Sequence, residues 1–390
     1  MKDVPRDAYW SWGLYDSLIV VIPSLDVVIA RAGRSLSGPR TPHYAPIESF
    51  LEPVARSVRG KDRWPGAPYP ASQTIPAIEW APVGTIIRRA QGGDNWPITW
   101  ADDGDLYTAY GDAQGFPPKV EKKLSLGLAK VTGGPDDFQG VNIRSKSGET
   151  VGEGARGAKA SGMLCVEGIL YMLVRNVGNS QVTWSDDHAV TWHRCDWKFE
   201  TSFGAPTFLN FSANYAGRRD NYVYLVSNDD DSAYTPADRM VMARVPLDQI
   251  RARKAYEFFQ AVDAAGRPVW TKDIRERGGV FVNPGRCYRS GISYNAGLKR
   301  YLWCQILPFS TDSRGPRFQG GFGIYEAPEP WGPWCTVFYT ENWDVGPGET
   351  SSFPTKWTSP DGRTCHLVFS GDDSFSVRRI ELKEIHNPMP

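Results

Sequence analysis

Two carboxylates, Asp94 and Asp112, close the two ends of one short stretch, DNWPITWADDGDLYTAYGD (residues 94–112), and Trp96 and Trp100 lie between them. A strand that runs out over 97–100, turns at Asp102-Asp103-Gly104 and returns brings its two ends back to one side. Glycosidic-bond cleavage needs such a pair: one group protonates the leaving oxygen, and the other serves as base or nucleophile on the opposite ring face. An aromatic, water-poor neighbourhood raises the pKa of a proton donor, and tryptophan also offers a sugar a stacking face. The bland alternative is a turn role for each acid. It is stronger for Asp112, because Gly-Asp recurs at Gly371-Asp372.

Other polar residues stand just ahead of apolar strands. In GPGETSSFPTKW (346–357), Glu349 leaves a Gly/Pro turn and leads into Ser351, Lys356 and Trp357. GARGAKASGML (154–164) carries Arg156 and Lys159, and GRCYRSGISYN (285–295) carries Arg286, Tyr288 and Arg289. The expected catalytic residues are therefore Asp94, Asp112 and Glu349. The expected substrate contacts are Trp96, Trp100, Arg156, Lys159, Tyr288, Arg289, Ser351, Lys356 and Trp357.

No metal ligand or cofactor is expected. The five histidines are scattered, and no H-E-x-x-H, P-loop or G-x-G-x-x-G context occurs. SNDDDSAYTPADR (227–239) is a weak calcium-loop pattern through Asp229, Asp230 and Asp231, and it reads better as a surface loop.

The elements that must hold these residues are strands. The 390-residue chain has 39 Gly, 30 Pro and 13% aromatic residues, the profile of a turn-rich β protein. Its 44 basic and 44 acidic residues balance without long runs, which argues against a nucleic-acid or membrane-surface partner. WADDGDLYTAYGD (100–112) and WTSPDGRTCHLVFSGDD (357–373) share one plan. CVEGILYMLVRN (165–176), RDNYVYLVSNDD (219–230) and NAGLKRYLWCQ (295–305) vary it. Five such centres predict an all-β fold, a five-bladed β-propeller over 78–390, with residues before each inner strand converging on one funnel. SDDHAVTW (185–192) fits the Asp-box turn except that Ala189 replaces its glycine. Asp187 is thus assigned a structural role. One helix is expected at 245–256.

Residues 1–60 differ. They predict two strands joined at Pro23-Ser24 and a helix over 43–58, and a Pro/Gly-rich linker spans 61–77. LIVVIPSLDVVIARAG reads as strands rather than a signal peptide, because Pro23 and Asp26 interrupt it and acids precede it. The localisation stays open, with a periplasmic or secreted parent polypeptide as one option. The six dispersed cysteines, with no C-x-x-C, are expected to be buried thiols.

Two resemblances follow from these stretches. Residues 1–60 resemble the closing hairpin and C-terminal helix of β-lactamase-like serine hydrolases, without their S-x-x-K nucleophile. This fits a remnant or a fusion. Residues 78–383 resemble the five-bladed propellers of glycoside hydrolase family 183, the endo-D-arabinanases, through DNWPITWADDGDLYTAYGD, GARGAKASGML, SDDHAVTW and GETSSFPTKW. That resemblance implies a polysaccharide substrate, arabinofuranose-containing, and a catalytic acid pair at Asp94 and Asp112. The alternatives are a sialidase-like propeller using Arg156, Arg286 and Arg289, a polysaccharide lyase, and a non-catalytic carbohydrate-binding propeller.

Overall fold

Leu106–Tyr110 and Lys159–Val166 are buried along their whole lengths. Strands with no exposed face must lie in sheets covered on both sides. The structure is a computed structural model that describes residues 4, 7–14, 17–23, 27–32, 50–55, 63–309, 313, 315–316 and 318–383. The fold is all-β. Strand pairing gives antiparallel meanders in sequence order over 98–151, 159–194, 207–271, 290–340 and 351–383. Each of the five sequence centres supplies the second strand of one meander, for example Ile169–Arg175 and Arg300–Ile306. The last meander is completed by the chain's earlier part. Phe375–Lys383 pairs with both Ala77–Trp80 and Ile87–Arg89, which ties the end of the ring to its beginning.

The innermost stretches of all these meanders line one narrow channel, through Thr99, Met163, Phe208, Ile292, Ser351 and Thr355. Sheets set radially around a common channel are a β-propeller arrangement. The core lies between neighbouring sheets. Tyr107, Leu126 and Leu128 pack on Met163, Leu170 and Met172. Trp96, Tyr110 and Phe116 pack on Trp357, Phe375 and Val377. Asn295, Leu298 and Gly362 meet closely where the fourth and fifth meanders touch.

A repeated acid-tyrosine device shapes two hairpins. Asp103 accepts from the Asp105 amide (3.0 Å) and the Tyr107 hydroxyl (2.8 Å). Asp220 does the same for the Tyr222 amide (3.1 Å) and the Tyr224 hydroxyl (2.7 Å). Each acid satisfies turn donors that would otherwise lack partners. The 185–192 turn is similar: Asp187 accepts from Ser185 Oγ (2.8 Å) and the Thr191 amide (2.7 Å). Ala189 adopts φ 73°, in the left-handed region where glycine is more usual.

Several expectations change. The segment at 245–256 is not one helix: the strand Ala237–Pro246 is followed by two 3-10 turns, Leu247–Gln249 and Arg253–Ala255. Residues 63–76 do not run free as a linker. The Ser72 amide donates to Thr336 O (2.7 Å), Ser72 Oγ donates to Glu326 (2.7 Å), and Ile75 is fully buried against the fourth and fifth meanders.

The N-terminal part has a third strand, Tyr9–Trp12, beside Leu18–Ile22 and Val27–Arg31. Of the expected helix, 50–55 is helical; 43–49 and 56–58, like Ser24, lie outside the described residues. Leu51 and Ala55 close a small separate core with Leu18, Val20 and Ile22. The cysteines are free, and all but the half-buried Cys335 are buried. Burial pushes the Cys165 thiol up to about 12.

Candidate active site at one end of the channel

The hairpin of the first meander brings Asp94 and Asp112 together by backbone pairing. The Asp94 amide donates to Gly111 O (3.0 Å), and the Gly111 amide donates to Asp94 O (2.7 Å). Asp94 is 7% exposed, and its Oδ1 has no hydrogen-bond partner among the described residues. Asp112, at φ 47°, accepts from the Gly154 amide through Oδ2 (2.9 Å).

The second meander supplies the cation between the two acids. Lys159 is 2% exposed, with Nζ 2.5 Å from Asp112 Oδ1 and 4.0 Å from Asp94 Oδ1. Its antiparallel register partner is Arg175, so both ends of that strand pair reach the same side. Arg175 is 1% exposed and donates to Asn95 Oδ1 (3.2 Å) and Asn176 Oδ1 (3.4 Å). It has no carboxylate partner among the described residues.

Opposite lie the fourth and fifth meanders. Arg289 is buried, pairs with Glu349, and donates from Nε to Ala233 O (3.0 Å). Burial and, second, the Arg175 guanidinium push Arg289 down to about 10. It stays protonated at neutral pH. Tyr288, half-buried, lies under the Arg289 guanidinium at 4.8 Å. Glu349 is anchored by its amide on Ser370 Oγ (2.5 Å). Ser351 is buried on the channel wall, and its Oγ lacks a partner among the described residues.

Asp94, Asp112, Lys159, Arg289 and Glu349 are thus brought together, with Tyr288 and Ser351 beside them. Arg156 is exposed on the 3-10 turn Gly154–Arg156, whose first amide binds Asp112. Arg286 turns away to Glu341 (2.6 Å), so Arg156, Arg286 and Arg289 form no triad.

Four expected sugar contacts are corrected. Trp96 is 1% exposed, T-shaped against Phe116 and Phe375 and tilted on Tyr110, so no ring face is left for a ligand. Trp357 is buried with Phe138 and Phe375, and its Nε1 donates to Gly133 O (3.3 Å). Trp100 and Lys356 lie at the other end of the hairpin. There they border a hollow of about 230 Å3 shared with Tyr294, and Lys356 faces Asp105 at 3.6 Å. The channel joining the two ends has room for about 20 Å3, roughly one water. That is too little for a sugar ring to pass, although Trp100 also lines the channel.

The sequence reading missed Arg175 and Tyr234. Tyr234 comes from the third meander, and its ring lies over Arg175 at 5.2 Å and Arg289 at 4.8 Å. The acids at 229–231 do not converge on a cation. Asp229 pairs with Arg239 and Arg277, both at 2.6 Å, Asp230 binds the Ser232 amide (2.8 Å), and Asp231 takes the Ser202 amide. Ligand atoms of Asp102 and Asp103 on the far hairpin turn and of His188 on the 185–192 turn lie within 4.8 Å of one another, and Asp102 already binds His188 (3.1 Å).

Gly111 keeps this cluster tight. A Cβ there would stand 2.4 Å from Asp94 Oδ1 and 3.2 Å from Lys159 Nζ. Gly111→Ala is expected to displace Asp94 and lower turnover of a cleaved substrate about 100-fold, the cost of an ångström-scale misplacement. Its unfolding free energy should fall by only about 1–3 kcal/mol, the usual cost of overpacking. Paired kinetics and urea denaturation check both halves.

No family model matches this chain, and no curated protein matches it. Among solved structures it is similar to a putative hydrolase from Bacteroides ovatus ATCC 8483, with 13% identity, 80% of this chain and 96% of that chain covered, and a TM-score of 0.48. It is also similar to the GH43_1 enzyme from Xanthomonas citri, solved with xylotriose, at 13% identity, 76% and 89% coverage and a TM-score of 0.42. A third is Zg3597, a family 117 glycoside hydrolase of the marine bacterium Zobellia galactanivorans, at 11% identity, 80% and 92% coverage and a TM-score of 0.37.

Proposed function

We propose that the protein is a glycoside hydrolase whose channel-mouth carboxylates, Asp94, Asp112 and Glu349, act on a glycosidic bond of a polysaccharide. The observation that carries this reading is Asp94: a buried carboxylate with one oxygen unused, beside a second carboxylate and across from a third, at a channel end open enough to leave Asp112 and Glu349 each 17% exposed. Purely structural ion pairs are usually satisfied on both oxygens. In this reading Asp94 takes a proton from the attacking water, while Lys159 and Asp112 fix its position. Lys159, Arg289, Tyr288 and Ser351 are the expected hydroxyl-binding contacts. An arabinofuranose-containing polymer is the proposed substrate, on the resemblance of the 94–112 hairpin to family 183.

The test is product release from D-arabinan, L-arabinan, sialosides and uronate polymers by the wild type and by Asp94→Asn. One polymer is expected to be cleaved, and the amide variant should lose about 10²–10⁴-fold in rate, the range for a lost acid-base group. Binding without cleavage by either protein would sink the hydrolase and leave a carbohydrate-binding propeller.

A further inference from the structure

Charge pairing at the channel mouth leaves one role unfilled. Both oxygens of Asp112 are held by cation and amide, and Glu349 is taken by Arg289. Asp94 lies 4.0 Å from Lys159 with its Oδ1 unpartnered among the described residues, and is the base assigned to the attacking water. Asp112 and Glu349 are thus already taken by a cation, and Asp94 is assigned to the attacking water, so no carboxylate is left over to give a proton to a leaving oxygen. Buried Arg175 meanwhile has no carboxylate partner among the described residues. A buried cation without a counter-charge is costly, so a group that can become negative is expected beside it.

That group is present. Tyr234 belongs to the 227–239 stretch, which is folded back rather than loose: Asn228 Nδ2 donates to Ser232 O (2.9 Å) and Thr235 O (3.1 Å), and Arg289 holds Ala233 O. The Tyr234 hydroxyl accepts from Asn176 Nδ2 (3.1 Å), and its own proton meets no acceptor among the described residues. Tyr234 is 39% exposed, so the residue is open in part to a ligand. The charged and titratable groups around it are Arg175 from the second meander, Arg289 and Tyr288 from the fourth, and, through Arg289, Glu349 from the fifth. Asp94 lies close enough to bear on Arg289 as well.

We propose that Tyr234 is the proton donor of the site, giving its hydroxyl proton to the departing glycosidic oxygen while Arg175 and Arg289 stabilise the phenolate. The proposal rests on the glycoside-hydrolase reading. As the bond from the anomeric carbon to the leaving oxygen breaks, that oxygen takes the Tyr234 proton. Water adds to the anomeric carbon and passes a proton to Asp94. Solvent then returns that proton to the phenolate, and the net reaction is hydrolysis. The environment agrees: burial alone would raise the Tyr234 phenol, but Arg175, the Asn176 hydrogen bond and Arg289 outweigh it and hold the phenol below its usual value.

Tyr234→Phe keeps the ring on both guanidiniums and removes only the proton. Its rate is compared with wild type on the cleaved polysaccharide and on the nitrophenyl glycoside of the same sugar, whose leaving group needs no proton. A loss of about 10²–10⁴-fold on the polysaccharide, with less than about tenfold on the nitrophenyl glycoside, is expected. Equal losses on both, or none on the polysaccharide, would overturn the assignment while leaving the hydrolase reading intact. A wild type inactive on every substrate sinks both, whereas Asp94→Asn inactive on both substrates keeps the hydrolase reading. A second readout needs no turnover: the tyrosinate absorbance of wild type minus Tyr234→Phe should titrate below an ordinary tyrosine. A difference curve with no such step would also overturn it.

Discussion

Replacing Lys159 with methionine is expected to lower the unfolding free energy by about 3–5 kcal/mol, the cost of leaving buried charge without its partner. Lys159 is almost fully buried between Asp112 and Asp94. Methionine fills a similar volume, so the loss reports the missing ammonium rather than a cavity. Two carboxylates would then share a water-poor site without a cation, and one must be protonated or the hairpin must open. Urea denaturation of Lys159→Met and of the double variant Lys159→Met/Asp112→Asn measures this. The double variant should recover part of the loss, because it removes one stranded charge. If Lys159→Met is as stable as wild type, the acids are better hydrated than their burial implies. The same variant should lose activity on any cleaved polymer, since Asp94 and Asp112 would no longer be held in register.

The convergence of Asp94 and Asp112 was legible because it depends only on strand geometry: a hairpin returns to its start. The same argument would have found Arg175. Ile169–Arg175 is the return strand of its hairpin, and Arg175 pairs in register with Lys159, so the end of any second strand belongs at the channel mouth. In sequence it looks like the solvated end of an apolar run, and that appearance hid it. Tyr234 was harder. Its position depends on how one loop folds back through Asn228 and onto Arg289, contacts between residues distant in sequence. The strand centres and the all-β class were readable from alternation and turn residues. The attachment of 63–76 was not, because Ser72 and Ile75 find partners about 250 residues later.

Trp96→Ala is expected to cost about 3–5 kcal/mol, the range for truncating a large buried aromatic. The reason lies in one backbone angle. Asn95 adopts φ 55°, which breaks the two-residue alternation between Asp94 and Trp96. Asp94 consequently joins the polar cluster, while Trp96 enters the core where the first sheet meets the last, against Tyr110, Phe116 and Phe375. Trp96→Phe should lose far less stability and leave the KM for a cleaved polysaccharide unchanged. A ring that served as a sugar platform would behave differently: Trp96→Phe would then raise KM while stability held. Urea denaturation with steady-state kinetics on both variants separates the two roles. Because the last meander is closed by strands from the chain's beginning, a cavity at this seam also weakens the contact between the hairpin that carries Asp94 and the sheet that carries Glu349. Trp96 thus acts on the site through the packing beneath it, and its loss should lower kcat only in proportion to how far the two acids drift apart.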